Sequence, residues 1–192
     1  MRMMLLGPPG SGKGTQGERL AAALDVPRLS TGDVLRAAVR AETGLGMLAR
    51  TTMEAGGLVS DEIVIGIVEQ RLRAAASTAG FLFDGFPRTS LQARALDQVL
   101  ERLDQAPLDC VIHLDVPDDE VLLRLLGRSA SEQRVDDREE IIRERLRVYH
   151  LETRPLITYY RHQGKLTTVA GVGAPDAVYE RIWMALTSSV AN

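Results

Sequence analysis

The spacing of hydrophobic and polar positions changes several times along the chain, and each change predicts an element. Residues 1–6 form a short apolar run cut off by Gly7-Pro8-Pro9-Gly10, the pattern of a buried strand that ends in a turn. From Lys13 to Leu24 the apolar spacing turns helical, through Leu20, Ala21 and Leu24. Residues 26–30 predict a second strand, and 32–42, 46–54 and 61–75 predict helices. Phe81-Leu82-Phe83 predicts a short strand ending at Asp84, 90–103 a helix, and 109–116 a strand carrying Val111, Ile112, Leu114 and Val116. Residues 118–126 and 138–162 predict helices, the second bent at Pro155; 166–169 predict a last strand and 175–188 a last helix.

Five strands alternating with helices predict an α/β fold: a five-stranded parallel sheet with helices on both faces. Two segments break the rhythm. Residues 31–59 hold two helices with no clear strand between them, and 127–137 are short, polar and flanked by arginine. Both are expected to be inserted or moving pieces.

Composition narrows the function classes. A chain of 192 residues, 45% hydrophobic and 26% charged, has ordinary globular make-up and can bury a core without disulfides or a structural metal. Its single cysteine, Cys110, excludes an internal disulfide and a four-cysteine zinc site. The formal net charge of −3 offers no global field for nucleic acid or anionic lipid. Met3-Met4-Leu5-Leu6 is too short for a signal-peptide core, and no apolar run reaches the length of a membrane span, so a cytoplasmic location is expected. Of 23 lysines and arginines only Lys13 and Lys165 are lysines, which makes the placement of Lys13 notable.

Lys13 stands in Gly7-Pro-Pro-Gly-Ser-Gly-Lys13-Gly-Thr15, between the first strand and the first helix. Glycines let successive backbone N–H groups curl around phosphate oxygens, the helix N-terminus adds the positive end of its dipole, and the lysine reaches the outer phosphates. The P-loop pattern G-x-x-x-x-G-K-[ST] is met at seven of its eight positions; Gly14 follows the lysine and the hydroxyl comes one later, at Thr15.

That departure, G-x-P-G-x-G-K-G-T, resembles the phosphate loop of the nucleoside monophosphate kinases. Leu29-Ser-Thr-Gly-Asp-Val-Leu-Arg36, Asp84-Gly-Phe-Pro-Arg88-Thr-Ser-Leu-Gln92 and Arg134-Val-Asp-Asp-Arg-Glu-Glu-Ile-Ile-Arg-Glu-Arg145 are similar to three further signatures of that family, in order and spacing. The nearest likeness is to adenylate kinases with a short lid and no zinc. The resemblance implies a P-loop fold with a core of residues 1–29, 60–126 and 138–192, an inserted helical segment for the monophosphate at 30–59, and a lid at 127–137. It implies MgATP + AMP ⇌ MgADP + ADP, with ATP, AMP and ADP as partners, in a monomer.

The site residues follow from the same resemblance. Gly10, Ser11, Gly12, Lys13, Gly14, Thr15, Arg128 and Gly173 would meet ATP. Thr31 and Gln92 would meet the adenine of AMP, where pyrimidine kinases commonly carry alanine and asparagine. A Gln amide both donates and accepts, which suits the adenine N1/N6 edge, but Thr89-x-x-Gln92 also reads as a helix capping box. Arg36 and Arg88 would hold the AMP phosphate, since a guanidinium fork suits a dianion; Arg36 also reads as part of a solvated helix face. Gly57, Leu58, Val59, Gly85, Phe86 and Pro87 would line the AMP site, 57–59 also reading as a plain helix-to-helix turn. Arg124, Arg134 and Arg145 would converge with Lys13 and Arg88 on the transferred phosphoryl, although alone they are cations on amphipathic helices. Asp84, with Asp33 through water, would organise Mg²⁺; Ser30-x-x-Asp33 equally reads as a capping start. Cys110 and His113 read as packing residues. Short lids of the family carry Gly-x-Thr-Ser-Gly between two arginines, whereas Ser129-Ala-Ser-Glu-Gln133 has no glycine. A UMP, CMP or GMP kinase and a nucleotide-binding regulator without turnover are the alternatives.

Overall fold

The computed structural model describes residues 1–74, 80–132 and 138–190, the side chains of 128–132 and 188–190 excepted. Five strands, β1 (Arg2–Leu6), β2 (Arg28–Ser30), β3 (Phe81–Asp84), β4 (Cys110–Asp115) and β5 (Leu166–Ala170), form one sheet in the order β2-β3-β1-β4-β5, with every neighbouring pair parallel. The predicted α/β architecture is the observed one.

Alternation along these strands sorts their side chains onto two faces. Met4, Leu6, Phe81, Phe83 and Val111 join one apolar cluster, closed by Val64, Val68 and Leu72 of α4 (Asp61–Ala74), Leu96 and Leu100 of α5 (Ser90–Arg102), and Leu156 and Tyr160 of α8 (Pro155–His162). Met3, Leu5, Leu82, Ile112 and Leu114 join the other, closed by Leu20 of α1 (Lys13–Leu24) and Val178, Ile182 and Leu186 of α9 (Pro175–Val190). Each fully buried side chain of this size contributes about 1.5–3 kcal/mol, so both faces of the sheet are held by apolar packing.

The register sets up the site. Leu5 of β1 lies opposite Asp84 of β3 and Ile112 of β4, so the loop after β1 and the carboxylate that ends β3 leave the sheet side by side at its carboxyl edge.

The strand-free segment holds α2 (Thr31–Arg40) and α3 (Gly44–Glu54). Ser30 Oγ accepts from Asp33 N at 3.3 Å to start α2, and Thr43 Oγ1 accepts from Gly46 N at 3.1 Å to start α3. The two helices pack so closely that a Cβ on Gly46 would lie 2.1 Å from the Ala38 carbonyl oxygen. Leu35, Ala49 and Val59 join the cluster under β1 and β3.

Three predicted elements need correction. The helix expected to stop at residue 126 is α6 (Asp118–Glu132), which runs through Gly127. Gly127 is not in the left-handed conformation that ends helices, and one interior glycine costs only about 1 kcal/mol against alanine. Asp118, Asp119 and Glu120 in the first turn complement the helix dipole. The predicted lid therefore begins as helix; residues 133–137, including Arg134, Asp136 and Asp137, lie outside the described residues. An added Cβ at Gly127 would meet nothing within 4 Å. Gly127→Ala is thus expected to raise stability by about 0.5–1 kcal/mol in urea unfolding. A destabilised variant would contradict an interior helical glycine at that position.

The helix expected over 138–162 is α7 (Glu139–Val148), a π-helical turn (Tyr149–Thr153) and α8. The break precedes Pro155, which cannot donate a backbone hydrogen bond. The turn before it widens instead, Arg154 N reaching the Tyr149 carbonyl at 2.8 Å. The strand predicted from residue 26 starts at Arg28, because Val26 N bonds the Ala21 carbonyl and belongs to the end of α1.

Candidate active site

A cleft of about 760 Å³ opens at the carboxyl edge of the sheet. One end is the phosphate loop. Gly10 turns there at φ +76°, and a Cβ on it would lie 2.7 Å from Leu125 Cγ, so the loop is tight against α6. Gly12 caps α1, directing that helix's N-terminus into the cleft with Gly10, Ser11, Lys13, Gly14 and Thr15. Lys13 Nζ donates to the carbonyls of Gly7 at 2.8 Å and Pro8 at 2.7 Å, and to Ser11 Oγ at 3.3 Å. Its ammonium is therefore held over its own loop.

At the other end lie Thr31, Arg36, Gly57, Leu58, Val59, Gly85, Pro87, Arg88, Gln92 and Arg145. Gln92 is buried. Its N–H donates to Thr89 Oγ1 at 3.1 Å, as the capping reading requires, but its side chain does more. Oε1 accepts from Arg88 N at 2.7 Å, and Nε2 donates to Asp61 Oδ1 at 2.7 Å. Thr89 Oγ1 also donates to Asp61 at 3.1 Å. The amide's orientation is thus set, leaving it one more proton and one more lone pair. Thr31 Oγ1 donates to the Gly85 carbonyl at 3.1 Å.

Arg88 is fixed at its backbone from both sides: its N–H by Gln92, its carbonyl by Thr153 Oγ1 at 2.8 Å. Its Nε donates to the Gly85 carbonyl at 2.9 Å. Arg36 pairs with Asp33 Oδ1. Arg145 crosses from α7 onto the turn before Gly57, where a Cβ on Gly56 would be 3.0 Å from its Cγ. Phe86 is the exception among the expected acceptor residues. Its side chain does not line the cleft but packs in the core, its ring 5.5 Å from that of Phe83. An aromatic ring loses more by staying wet than it gains beside a phosphate.

On the donor side Arg124 donates to Glu120 at 2.7 Å and to the Gly171 carbonyl at 3.1 Å, tying α6 to the 171–173 loop. Arg181 holds that loop from behind through the carbonyls of Ala170 and Val172. Gly173 lines the cleft at φ +105°. The side chain of Arg128, like Arg134, lies outside the described residues.

The carboxylates are already engaged with a cation. Arg28 Nη2 donates to Asp84 Oδ2 at 2.8 Å and to Asp33 Oδ2 at 2.9 Å; Nε reaches Asp84 Oδ2 at 3.3 Å, and Nη1 reaches Glu18 at 3.4 Å. Burial opposes the charge of Asp33, but bonds from Arg36 and Ser30 and the charges of Arg36 and Arg28 outweigh it, and its pKa lies below the ordinary value. Burial likewise works against Arg28, and the bond and charge of Asp84, with Asp33 and Glu18, reverse it.

Two expected packing residues are buried on β4. Burial raises the Cys110 thiol to about 11, so it stays protonated. Burial also lowers the His113 imidazole, whose Nε2 is 3.4 Å from Tyr149 Oη.

Asp61 and Arg28 do not stand out in the sequence. Asp61 sits in the first turn of α4, where an acid needs no reason beyond the helix dipole. Arg28 meets its partners only because Ser30 of β2 is registered against Asp84 of β3.

A lysine-bearing glycine loop at the edge of a parallel sheet, facing arginines across one cleft, suits the transfer of phosphoryl groups between two anionic substrates. The fold and the site therefore define a P-loop phosphotransferase. Comparison narrows the class: a family model described as adenylate kinase matches residues 5–165. The adenylate kinases of Xanthomonas euvesicatoria pv. vesicatoria (strain 85-10) and Xanthomonas axonopodis pv. citri (strain 306) are each 50% identical over 186 residues, 97% of this chain and 99% of theirs. That of Stenotrophomonas maltophilia (strain K279a) is 46% identical over the same span. The chain belongs to the adenylate kinase family, enzymes that move a phosphoryl group reversibly between ATP and AMP.

Proposed function

We propose that the chain interconverts MgATP and AMP with MgADP and ADP, keeping adenine nucleotides in balance, through the residues that face each other across this cleft. The observation that carries the reading is that one continuous cavity joins the Lys13 loop to Arg36, Arg88 and Gln92. An oxygen of the AMP phosphate forms a bond to the terminal phosphorus of ATP, while that phosphorus leaves the bridging oxygen of the departing ADP. The attacking oxygen is already anionic, so no general base is required. What remains is to hold two polyanions in line and neutralise charge spread over the transferring oxygens.

In this reading Gly10, Ser11, Gly12, Gly14 and Thr15 cradle the ATP phosphates, and Lys13 follows the terminal one. The 171–173 loop, held by Arg124 and Arg181, meets the ATP base through Gly173. Arg36 and Arg88 grip the AMP phosphate. The spare donor and acceptor of Gln92, with Thr31, meet the adenine. Arg124, Arg134 and Arg145 close on the transferred group, with Arg128 beside ATP. The 30–59 segment and the 127–137 lid move against the rest of the chain, excluding the water that would otherwise accept the phosphoryl group. The reading takes the chain as a cytoplasmic monomer without zinc, binding neither nucleic acid nor membrane; among the described residues no helix is long and apolar enough to cross a membrane.

Adenylate kinases use Mg²⁺ with ATP, and the residues here fit that ion. Asp84 and Asp33 offer hard oxygen donors that converge on one nitrogen of Arg28, so they are spaced to share a cation. Asp84 and Asp33 would hold the water shell of a magnesium ion bound with ATP, and that ion would supply positive charge to neutralise the phosphates.

A compound of two adenosines joined by five phosphates tests the arrangement. It spans both ends of the cleft, so its second contact is intramolecular. It is expected to raise the melting temperature strongly at saturation with Mg²⁺, since it binds only the folded state. No shift would mean that the two nucleotide sites do not coexist in this cleft.

A further inference from the structure

Arg28 belongs to none of the roles above, yet it lines the cleft. Its side chain is 20% exposed and its guanidinium reaches Glu18, Asp33 and Asp84 together. The space it fills is made by the start of α1. A Cβ on Gly17 would lie 3.4 Å from Arg28 Nε, and one on Gly14 would lie 3.7 Å from Nη2 and 3.8 Å from Asp84 Oδ2. Gly14 stands where the common phosphate loop carries a hydroxyl, and a Cβ there would touch the guanidinium at ordinary van der Waals distance. Two carboxylates that converge without a cation repel each other. Arg28 removes that repulsion from inside the chain.

We propose that Arg28 is a built-in counter-cation of the Asp33–Asp84 pair, which yields those carboxylates when magnesium arrives with ATP and so sets how strongly ATP binding depends on the metal. The inference rests on the proposal that Asp84 and Asp33 meet magnesium. Arg28 lines the same cavity as the phosphate loop, so it acts in both directions. Without metal, its fixed charge helps to hold the ATP phosphates. With metal, the same charge competes for the aspartate oxygens and opposes a second cation nearby. Both effects shrink the gap between the affinities for MgATP and for metal-free ATP. Arg28 is a positioning residue on this account; it transfers nothing itself.

The test is ATP binding by calorimetry with excess Mg²⁺ and with a chelator in its place, read as the ratio of the two dissociation constants. Arg28→Gln is expected to widen the ratio about five- to tenfold, through weaker metal-free binding and unimpaired MgATP binding, as loss of a unit charge at short range implies. Arg28→Lys keeps the charge and is expected to stay within about twofold of the parent. A ratio for Arg28→Gln within twofold of the parent overturns the proposal. Asp84→Asn separates it from the reading beneath it. If that variant leaves the ratio unchanged, Asp84 is not the magnesium carboxylate and both fail. If it narrows the ratio while Arg28→Gln leaves it as it was, only the role of Arg28 fails. A second readout needs no variant: the Nε–H NMR resonance of Arg28 in the parent chain should shift when Mg²⁺ is added to the ATP complex, and a resonance that stays in place contradicts displacement.

Discussion

Lys13→Met is expected to lower kcat by about a thousandfold or more, equivalent to about 4 kcal/mol of lost transition-state stabilisation. The lysine heads the helix that points into the cleft, and its ammonium is anchored at 2.7 and 2.8 Å on two carbonyls of the loop. In the proposed reading it moves from there onto the outer phosphates. A charge that follows the migrating phosphoryl acts mainly in the transition state, so the loss should fall on kcat more than on the KM for ATP. Methionine matches most of the stem volume, and the ammonium's bonds to Gly7, Pro8 and Ser11 lie within the loop, so the melting temperature should change little. A variant within threefold of the parent in turnover would place Lys13 outside the chemistry.

Arg88→Lys is expected to cost about a hundredfold in kcat/KM for AMP, with the KM for ATP little changed. Both backbone groups of Arg88 are pinned, by Gln92 and by Thr153, and Nε is spent on Gly85. A guanidinium fork carried on this pinned backbone suits a phosphate dianion. Lysine keeps the charge but offers a point instead of a fork, and it cannot satisfy the Gly85 carbonyl in the same geometry. Steady-state kinetics with AMP varied at saturating MgATP decide it. Equal kcat/KM would show that charge alone, without planar geometry, serves at this position.

The parts of this molecule that were legible in the sequence are those whose signal is local. The strand, glycine loop and helix from Arg2 to Leu24 are contiguous, and Gly10 and Gly12 supply positive φ angles within that loop. β1, β3 and β4 are legible as short, largely apolar runs bounded by turns, whereas β2 (Arg-Leu-Ser) is not one, and Val26 before it looks like strand but serves as the end of α1. The continuation of α6 past Gly127 was not legible: a glycine between helix formers reads as a stop, and only its backbone conformation shows otherwise.

At the site, the residues named by motif were legible, and what holds them was not. Gln92 was open to two readings, cap and recognition. The structure has its backbone N–H in the cap, while Asp61, 31 residues away in sequence, sets the amide. Arg28 shows no motif at all, since its meaning depends on strand register. Phe86 sits inside a motif shared with cleft residues, and its ring nevertheless faces the core.

Whether this cleft selects adenosine monophosphate is decided by an acceptor screen: MgATP with AMP, dAMP, GMP, CMP, UMP and dTMP. A buried amide held in one orientation, with one donor and one acceptor to spare, should reject a base that leaves those groups unpaired. AMP, and dAMP with it, is expected to exceed every other acceptor in kcat/KM by about a hundredfold or more. If CMP or UMP matches AMP, Thr31 and Gln92 do not read adenine and the account of the acceptor site is wrong.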